Sequence, residues 1–518
     1  MKKINKPMNS VRTLLTFTLI AAQWTTSAIA ETKPEEVGPT FLNFSGVCQG
    51  NLKRPQLWGE AIGWERKEAS WHKLEPELGL WDEKAFHEYI NQEFKQAASK
   101  NVKLLPLLAY TAPWSSGDIP DQFFTLGSRR YEIVRQPDGN FIMRAFSLDG
   151  DDESEPIIER NISALRMSHR YLSEDYVGDW EEYVYRVVSA LRAEGVEYFQ
   201  IWNEAYPTSS FWYGNMDIYL ERVHIPAAKI IHELGGKVVY GGWPCGAPLS
   251  EMAELFDKYD IWETVDIIDI HYFPLVGWEH VYRQLEQRNL THIGLWQTEI
   301  GFTADPNFIG NFYPRALHWA LSHDWDYPDK YKLFYFAYRS PDASDAKGYR
   351  RCLLLGDELN ESGKSLKTLS EILDGGTMSL YEGVTSTPRL KPEIDERLSS
   401  MENFRVGNTI VTACHFIPNN KAKIFVDWNE GDMTTYHLDN GNPIVKLEYA
   451  LERDEVVKVE RVSMLGTRIE LNAHQNTDGK LLVKAPIREE KPEFAYTDMP
   501  EDTLPEVFYV VVTLKDQS

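Results

Sequence analysis

The chain has 518 residues, 43% of them hydrophobic and 25% charged, and its formal net charge is −24. This length is enough for two or three globular domains. The strong negative charge argues against nucleic acid and anionic membranes as partners. Four cysteines, Cys48, Cys245, Cys352 and Cys414, are too few and too scattered for a disulfide scaffold, and the sequence leaves their pairing open.

The N-terminal segment is typical of a secretory signal peptide. Basic residues up to Arg12 precede an apolar stretch at 13–22, and Ala28-Ile29-Ala30 has the small residues of a cleavage site. The apolar stretch is too short to remain as a membrane span. We expect residues 1–30 to be removed after Ala30 and the mature protein to be secreted or periplasmic, without a membrane partner. The oligomeric state is not predicted.

Residues 31–374 alternate short apolar runs with amphipathic helical stretches, which predicts an α/β fold of the (β/α)8 TIM barrel type. A doubly wound sheet is the alternative, but no glycine-rich phosphate loop opens a helix. A loop insertion at 115–176 follows the third strand. The eight predicted strands are 41–47, 61–66, 102–110, 198–204, 237–242, 265–272, 293–299 and 332–338.

Residues 375–518 have a different pattern, with short runs rich in Val, Tyr and Phe separated by turn signals. Asn440-Gly441 and Asp478-Gly479 are typical of tight turns between strands. We predict a C-terminal β-sandwich that packs on the barrel. Its predicted strands are 424–428, 433–438, 456–462, 481–483 and 507–514.

Two predicted barrel strands end in a glutamate. The fourth ends in Trp202-Asn203-Glu204 and the seventh in Thr298-Glu299. Because the carboxyl ends of barrel strands meet at one face, Glu204 and Glu299 are expected to oppose each other there. A carboxylate pair about 5–5.5 Å apart cleaves glycosidic bonds with retention. In the alternative interpretation, each glutamate caps a helix or pairs with an arginine.

Several motifs in order resemble clan A of the glycoside hydrolases. Residues 71–82, W-H-K-L-E-P to G-L-W-D, resemble the clan segment after strand two, and residues 105–114 resemble its third strand and loop. The W-N-E motif ending at Glu204 and the T-E-I-G motif at Glu299 resemble the acid/base and nucleophile motifs. The resemblance covers residues 40–372 and is strongest to the xylosidase/iduronidase family and its endo-acting relatives. It implies Glu204 as acid/base and Glu299 as nucleophile.

The resemblance also suggests supporting residues. Arg66, at the end of strand two, would hold the nucleophile ionised, and Asn203 would bind a sugar 2-hydroxyl. His271 and Tyr272 resemble a clan His and Tyr on strand six, although the usual spacing is His-any-Tyr. Since adjacent strand residues point to opposite faces, only one of the two is expected to point inward unless a bulge intervenes.

Aromatic residues near strand ends are candidates for sugar stacking, with a role in the core as the alternative. They are Trp114, Trp243, Trp296 and Tyr338. No HExxH or clustered His/Cys spacing is present, so no metal or organic cofactor is expected. The insertion contains seven arginines and no lysine. We hypothesise that one or two of Arg129, Arg130 and Arg144 reach the cleft and bind sulfate or carboxylate; the alternative is pairing with acids of the insertion.

The sequence therefore predicts a secreted retaining glycoside hydrolase that acts on β-glycosidic bonds of a polysaccharide or oligosaccharide. Two substrate classes stay open, a red-algal and sulfated galactan or a plant glycan cleaved in the manner of a β-xylosidase. Endo or exo action is not predicted. The rivals are a non-catalytic carbohydrate-binding barrel, which a turnover assay would distinguish, and a polysaccharide lyase, which would release unsaturated products.

Overall fold

The computed structural model describes residues 38–50, 56–149, 155–301, 307–338, 352–374, 376–416, 444–487 and 506–516. The predicted signal peptide and the predicted strands 424–428 and 433–438 lie outside these residues. Within the described part of the chain, no helix is both long and apolar enough to cross a membrane. The four cysteines are all described, and none of them forms a disulfide bond.

The described chain begins with a short helix where the sequence predicted a strand. The side chain of Thr40 accepts a hydrogen bond from the backbone of Asn43, which caps the helix, and the first strand follows directly. The elements up to the third strand are α1 (Phe41–Phe44), β1 (Ser45–Cys48), β2 (Trp64–Ser70), α2 (Trp71–Leu74), α3 (Glu83–Tyr89), a π-helical segment (Ile90–Phe94), α4 (Lys95–Ser99) and β3 (Lys103–Ala109).

The insertion at 115–176 is a small folded unit rather than the predicted loop. Four strands form an antiparallel sheet in chain order, and alternate residues such as Tyr131, Ile133 and Met143 fill a separate apolar core. The elements are β4 (Gln122–Leu126), β5 (Arg129–Arg135), β6 (Phe141–Ser147), β7 (Ile158–Ile162) and α5 (Ala164–Ser168), flanked by 3₁₀ turns at Pro113–Ser116 and Glu174–Tyr176.

After the insertion, strands and helices alternate again. The elements are α6 (Val177–Ala193), β8 (Tyr198–Ile201), α7 (Met216–Tyr219), a π-helical segment (Leu220–His224), α8 (Ile225–Glu233), β9 (Lys237–Val239), β10 (Trp243–Pro244), α9 (Leu249–Lys258), a 3₁₀ turn (Ile261–Glu263), β11 (Ile267–His271), α10 (Leu275–Arg288), β12 (Gly294–Gly301), α11 (Asn307–Leu321) and β13 (Tyr331–Phe336).

These strands close into a parallel barrel. The order is β1, β2, β3, β8, β9, β11, β12 and β13, and β13 pairs with β1. Strand β10 continues the fifth strand and pairs with β11. Inward-facing side chains, including Trp64, Leu105 and Phe334, fill the interior. The predicted (β/α)8 barrel is confirmed, and its carboxyl-terminal mouth is the place where such folds build sites.

The C-terminal part contains two antiparallel sheets, as expected for a sandwich. Its first elements are a hairpin of β14 (Leu354–Leu355) and β15 (Glu358–Leu359) and the helix α12 (Glu361–Ile372). The six-stranded sheet has the order β16 (Met378–Leu380), β18 (Ser400–Val406), β19 (Thr409–Phe416), β25 (Glu506–Leu514), β21 (Val456–Ser463) and β22 (Arg468–Glu470). The four-stranded sheet has the order β17 (Val384–Thr387), β20 (Ile444–Tyr449), β24 (Leu481–Pro486) and β23 (Ala473–Gln475).

Strand β25 lies between β19 and β21 and is buried on both faces. Phe508 and Val510 face the four-stranded sheet. Val507 and Tyr509 join the core that continues into the barrel, and an added Cβ at Gly310 in α11 would lie 2.8 Å from Val507. The six-stranded sheet therefore separates two cores. The division of the chain into domains at 374/375 stays a prediction.

Candidate active site

Glu204 and Glu299 lie together at the barrel mouth. Glu204 follows β8, and Glu299 lies near the end of β12. One carboxylate oxygen of each lies within 4.8 Å of the other and of a ring nitrogen of His271. The Nδ1 atom of His271 is 3.0 Å from Oε1 of Glu204 and 4.0 Å from Oε1 of Glu299. The structure thus places the two predicted carboxylates around one imidazole.

Both carboxylate oxygens of Glu299 accept a hydrogen bond. Arg66, which was expected at the end of strand two, is a buried residue in the first half of β2. It donates from Nη1 to Oε1 at 2.6 Å. The hydroxyl of Tyr272 donates to Oε2 at 3.0 Å. A carboxylate with a guanidinium and a hydroxyl as donors is stabilised in its charged form.

Both His271 and Tyr272 reach the site because the backbone leaves regular strand geometry here. The pairing register between β11 and β12 shifts after Asp269, and Tyr272 has a φ of 57°. A bulge aims neighbouring side chains in directions that a regular strand would not allow. The expectation that only one of the two points inward applies to an unbulged strand, and this strand is bulged.

A buried polar layer lies below the two glutamates. The Nε2 atom of His271 contacts Asp269 at 3.2 Å and Thr298 at 2.9 Å. Burial alone would lower the pKa of His271, but the negative charges of Glu299 and Asp269 and hydrogen bonds to Asp269 and Glu204 raise it to about 10. His271 is therefore an imidazolium at neutral pH and donates from both nitrogens.

Gln200 and Asp269 were not identified from the sequence. Gln200 accepts from Nε of Arg66 and donates to Asp269, and Asp269 also accepts from the backbone of Thr298 at 2.8 Å. Their signal in the sequence is weak: each is a polar residue inside an otherwise apolar barrel strand. Such a residue is expected to have a buried partner, because burial without one is costly.

The segment around Glu204 has an unusual backbone. Trp202 and Glu204 adopt φ values of 70° and 44°, which are uncommon for residues with a Cβ and are found at functional sites. The Glu204 amide donates to the carbonyl of Gly241 at 2.6 Å. Asn203, which lies between Trp202 and Glu204 in the chain, accepts a hydrogen bond from Arg66 through Oδ1 at 2.6 Å. Its amide nitrogen is thereby left to donate elsewhere.

Gly242 permits the close approach of His271. A Cβ added at this position would lie 2.2 Å from Nε2 of His271, and the residue has a φ of 71°. Any side chain here would displace the imidazole that contacts Glu204. Gly241 and Gly242, which follow β9, therefore help to position Glu204 and His271.

The four aromatic candidates divide into two groups. Trp114 is half-buried and lies edge-on to Trp71 at 5.3 Å, beyond the end of β3. Trp243, Trp296 and Tyr338 have no solvent-exposed surface. Trp296 fills the barrel interior and donates to the carbonyl of Asp329. These three residues therefore have no free ring face for a sugar, and Trp114 is the candidate that stays open.

The arginines of the insertion have separate environments. Arg130 pairs with Glu132, and Arg144 pairs with Glu159 at 2.8 Å, both near the surface. Arg129 is half-buried and interacts with Tyr131. The hypothesis that Arg130 and Arg144 bind substrate is therefore not supported by their contacts.

The geometry of the two glutamates and His271 brings three potential metal-ligand atoms together. Both ring nitrogens of His271 have oxygen partners among neighbouring side chains, whereas a metal would need one of these nitrogens to be free and unprotonated. The arrangement therefore describes a hydrogen-bonded network of side chains.

No protein-family model matches the chain, and neither does any curated protein sequence. Among solved structures, the chain is similar to the GH39 enzyme from Xanthomonas axonopodis pv. citri, with 11% identity, a TM-score of 0.52 and coverage of 93% of this chain and 96% of that one. A glucosidase from Croceicoccus marinus has 11% identity, a TM-score of 0.49 and coverage of 93% and 98%. A family 39 glycoside hydrolase from Bacteroides cellulosilyticus WH2 has 13% identity, a TM-score of 0.48 and coverage of 92% and 81%.

The chain has the fold of the Xanthomonas enzyme. The expected resemblance to glycoside hydrolase barrels is thus confirmed at the level of the fold, which at this identity is what the similarity establishes. Function has to be argued from the site itself.

Proposed function

We propose that the protein is a retaining glycoside hydrolase with Glu299 as nucleophile and Glu204 as general acid/base. The observation that carries the proposal is the pair of glutamates at the barrel mouth, with carboxylate oxygens within 4.8 Å of each other. Retaining enzymes have their carboxyl groups about 5–5.5 Å apart, whereas inverting enzymes need about 6.5–9.5 Å to admit a water.

The different partners of the two glutamates support the assignment of roles. Arg66 and Tyr272 hold both oxygens of Glu299, so Glu299 is the charged group and suits attack on the anomeric carbon. His271 holds Oε1 of Glu204. The Oε2 atom of Glu204 has no partner among the described residues and is the oxygen that would carry the proton to the glycosidic oxygen.

The charges of the site balance when Glu204 carries this proton. Arg66 and His271 are then the two cations, and Asp269 and Glu299 are the two anions, all in hydrogen-bond contact within one network. A buried site without net charge avoids the cost of an uncompensated ion. The proposed first step starts from this state, with Glu299 charged and the proton on Glu204.

In the first step, Glu299 forms the bond to the anomeric carbon while Glu204 protonates the departing oxygen. In the second step, Glu204 removes a proton from water, the water oxygen bonds to the anomeric carbon, and Glu299 is released as a carboxylate. In this proposal Asn203, whose Oδ1 accepts from Arg66, donates from its amide nitrogen to a sugar hydroxyl during both steps.

We extend the proposal to a secreted enzyme that acts on β-linked polysaccharide or oligosaccharide. Residues 1–30 support export, and the clan-like motifs support β-glycosidic cleavage. A sulfated red-algal galactan and a plant xylan-type glycan are the two candidate substrates. A panel of polysaccharides assayed by release of reducing ends would select between them.

The mechanistic test uses Glu204→Gln with aryl β-glycosides and added azide. Loss of the acid should abolish cleavage of natural glycans but spare substrates whose leaving groups need no proton, and azide should then yield a β-glycosyl azide. NMR of the first product of the wild-type enzyme reports whether the anomeric configuration is retained. Inverted product, or full activity of Glu204→Gln on polysaccharide, would contradict the proposal.

A further inference from the structure

Four basic residues lie together beside the candidate active site: His72, Lys73, His169 and Arg170, referred to below as the basic patch. His72 and Lys73 belong to α2, directly after β2. His169 and Arg170 follow α5 at the end of the insertion. The rings of His72 and His169 meet edge-on with centroids 4.8 Å apart. Because α2 follows the carboxyl end of a barrel strand, the basic patch lies at the mouth.

Arg170 has few partners for a largely buried guanidinium. Its guanidinium carbon lies 3.4 Å from the ring centre of Tyr110 and 5.7 Å from that of Phe211. Nη1 donates to the carbonyl of His169 at 3.2 Å. Nε is buried and has no hydrogen-bond partner, and no described carboxylate forms an ion pair with this side chain.

The unused donors of Arg170 form one recognition edge. Nε and Nη2 donate from the same edge of the planar guanidinium, and an arginine edge with both donors unused can bind two oxygens of a carboxylate or sulfate at once. Burial lowers the pKa of Arg170, while Tyr110 and Glu68 act in the opposite direction. A buried cation without an anionic partner is costly, so an anion at this edge would remove an existing penalty.

The surroundings of the basic patch do not supply that anion. Glu68 acts electrostatically on Arg170, but it accepts its hydrogen bond from Ser70 and forms no ion pair with Arg170 among the described residues. Burial raises the pKa of Glu68 in spite of Lys73 and Arg170 nearby. The Nδ1 atom of His72 is also buried without a partner, which adds a second unused polar atom.

Tyr110 connects the basic patch to the glutamates. Its ring lies edge-on to Trp202 at 5.2 Å and parallel to Phe211 at 6.1 Å. The amide of Phe211 donates to Ser209, whose hydroxyl donates to the carbonyl of Glu204. The Tyr110 side chain also responds to the charges of both Arg170 and Glu299. Tyr110 therefore contacts both Arg170 and the aromatic residues that flank the segment carrying Glu204.

We infer that the basic patch is a recognition site for an oxyanion substituent of the glycan, a sulfate ester or a uronic carboxylate, with the free edge of Arg170 as its main donor. This inference rests on the proposed function and names its substrate class. In a chain with a net charge of −24, long-range repulsion opposes the approach of an anionic polymer. Arg170 and Lys73 supply the local positive charge of the basic patch, since burial lowers the pKa of His72 to about 4 and also lowers the pKa of His169.

Calorimetric binding tests the inference without requiring turnover. The probes are oligosaccharides of a sulfated galactan and of a glucuronoxylan, each compared with its desulfated or carboxyl-reduced form at low ionic strength. We expect wild type to prefer the anionic member of one pair at least about tenfold, as for a charge-assisted hydrogen bond. The pair that shows the preference identifies the oxyanion as sulfate or carboxylate.

Arg170→Met should abolish the preference, and Arg170→Lys, which keeps the charge but not the fork, should restore part of it. Arg135→Met is the matched control, because Arg135 belongs to the same insertion, stacks on Phe141 at 5.1 Å and donates to a carbonyl. It should keep the wild-type preference. Melting temperatures check that each variant is folded.

Equal affinity of wild type for charged and neutral glycans, absence of binding to all four, or a preference that survives Arg170→Met would each overturn the inference. Loss of the preference in Arg135→Met as well would attribute it to the general charge of the insertion and overturn it too. Hydrolysis of a neutral aryl β-glycoside by wild type is measured separately. Its absence would contradict the hydrolase proposal while leaving the binding comparison to decide on Arg170.

Discussion

Glu299 at the barrel mouth and Glu65 on the outer side of β2 are both buried carboxyl groups with different surroundings. Glu299 accepts hydrogen bonds from Arg66 and Tyr272. Glu65 has no solvent-exposed surface, and neither of its oxygens has a hydrogen-bond partner. Its nearest cation is Lys67, at 3.8 Å. Although both groups are buried, the surroundings of Glu299 stabilise a negative charge and those of Glu65 do not.

Burial of a carboxyl group does not by itself indicate a catalytic role. Burial raises the pKa of Glu65 to about 7, with Lys67 opposing the rise only in part. At the mouth, the fold supplies two hydrogen-bond donors to the carboxylate of Glu299. Donors placed around a buried acid therefore indicate where charge is needed, and burial alone does not.

The largest expected effect concerns Glu299. Glu299→Gln should lower kcat by about 10⁴-fold or more, since no other group can form the covalent intermediate. Initial rates on an aryl β-glycoside measure this loss. The matched control is Glu65→Gln, which removes a buried carboxylate from a neighbouring part of the barrel and should keep wild-type kcat. Equal losses in both variants would mean that burial, not the donor set, distinguishes the site.

The next effect is on the stability of Glu65→Gln. A group whose pKa is raised on folding stabilises the fold fully below its unfolded value near 4.5, and this contribution is lost as the pH rises towards 7. The glutamine amide of the variant does not ionise, so the variant does not lose this stability as the pH rises. A pKa change from 4.5 to about 7 corresponds to about 3 kcal/mol, so the variant should gain up to that amount in free energy of unfolding at pH 8. Urea denaturation at pH 8 and pH 5 measures the difference, and an equal gain at both pH values would refute the prediction.

Tyr272→Phe should have a smaller effect that is confined to catalysis. Removing the hydroxyl deletes one donor to Glu299 while Arg66 remains. A hydrogen bond to a charged group contributes about 1.5–3 kcal/mol, which corresponds to a fall of about 10- to 150-fold in kcat/KM. Initial rates on an aryl β-glycoside measure this loss. An unchanged kcat/KM would show that the Tyr272 hydroxyl does not support Glu299 in catalysis.

The smallest effect is expected for Arg144→Met. Arg144 pairs with Glu159 at an exposed position of the insertion, and exposed pairs contribute at most about 1 kcal/mol. The free energy of unfolding should therefore change by no more than this amount, and turnover should be unchanged. A loss of activity would support the hypothesis that Arg144 contacts the substrate.

The strand order and the two glutamates could be predicted because alternating apolar runs mark barrel strands and polar residues mark their mouth ends. The structure of the insertion was missed, although the alternating pattern of 129–135 and 141–147 around Pro137-Asp138-Gly139 is a hairpin signal. The roles of Trp296 and Tyr338 could not be predicted, because only the register decides which face an aromatic occupies. The paired use of His271 and Tyr272 depends on a bulge, and the sequence carries no signal for it.

The position of β25 in its sheet affects how the protein is assembled. It comes after every other described strand along the chain, yet it lies in the middle of the six-stranded sheet between β19 and β21. Synthesis from the N-terminus therefore delivers both neighbouring strands first and leaves each with an open edge. Such edges invite association with other chains until the missing strand inserts. We expect a chaperone that holds the nascent chain to matter more for this protein than for a barrel alone.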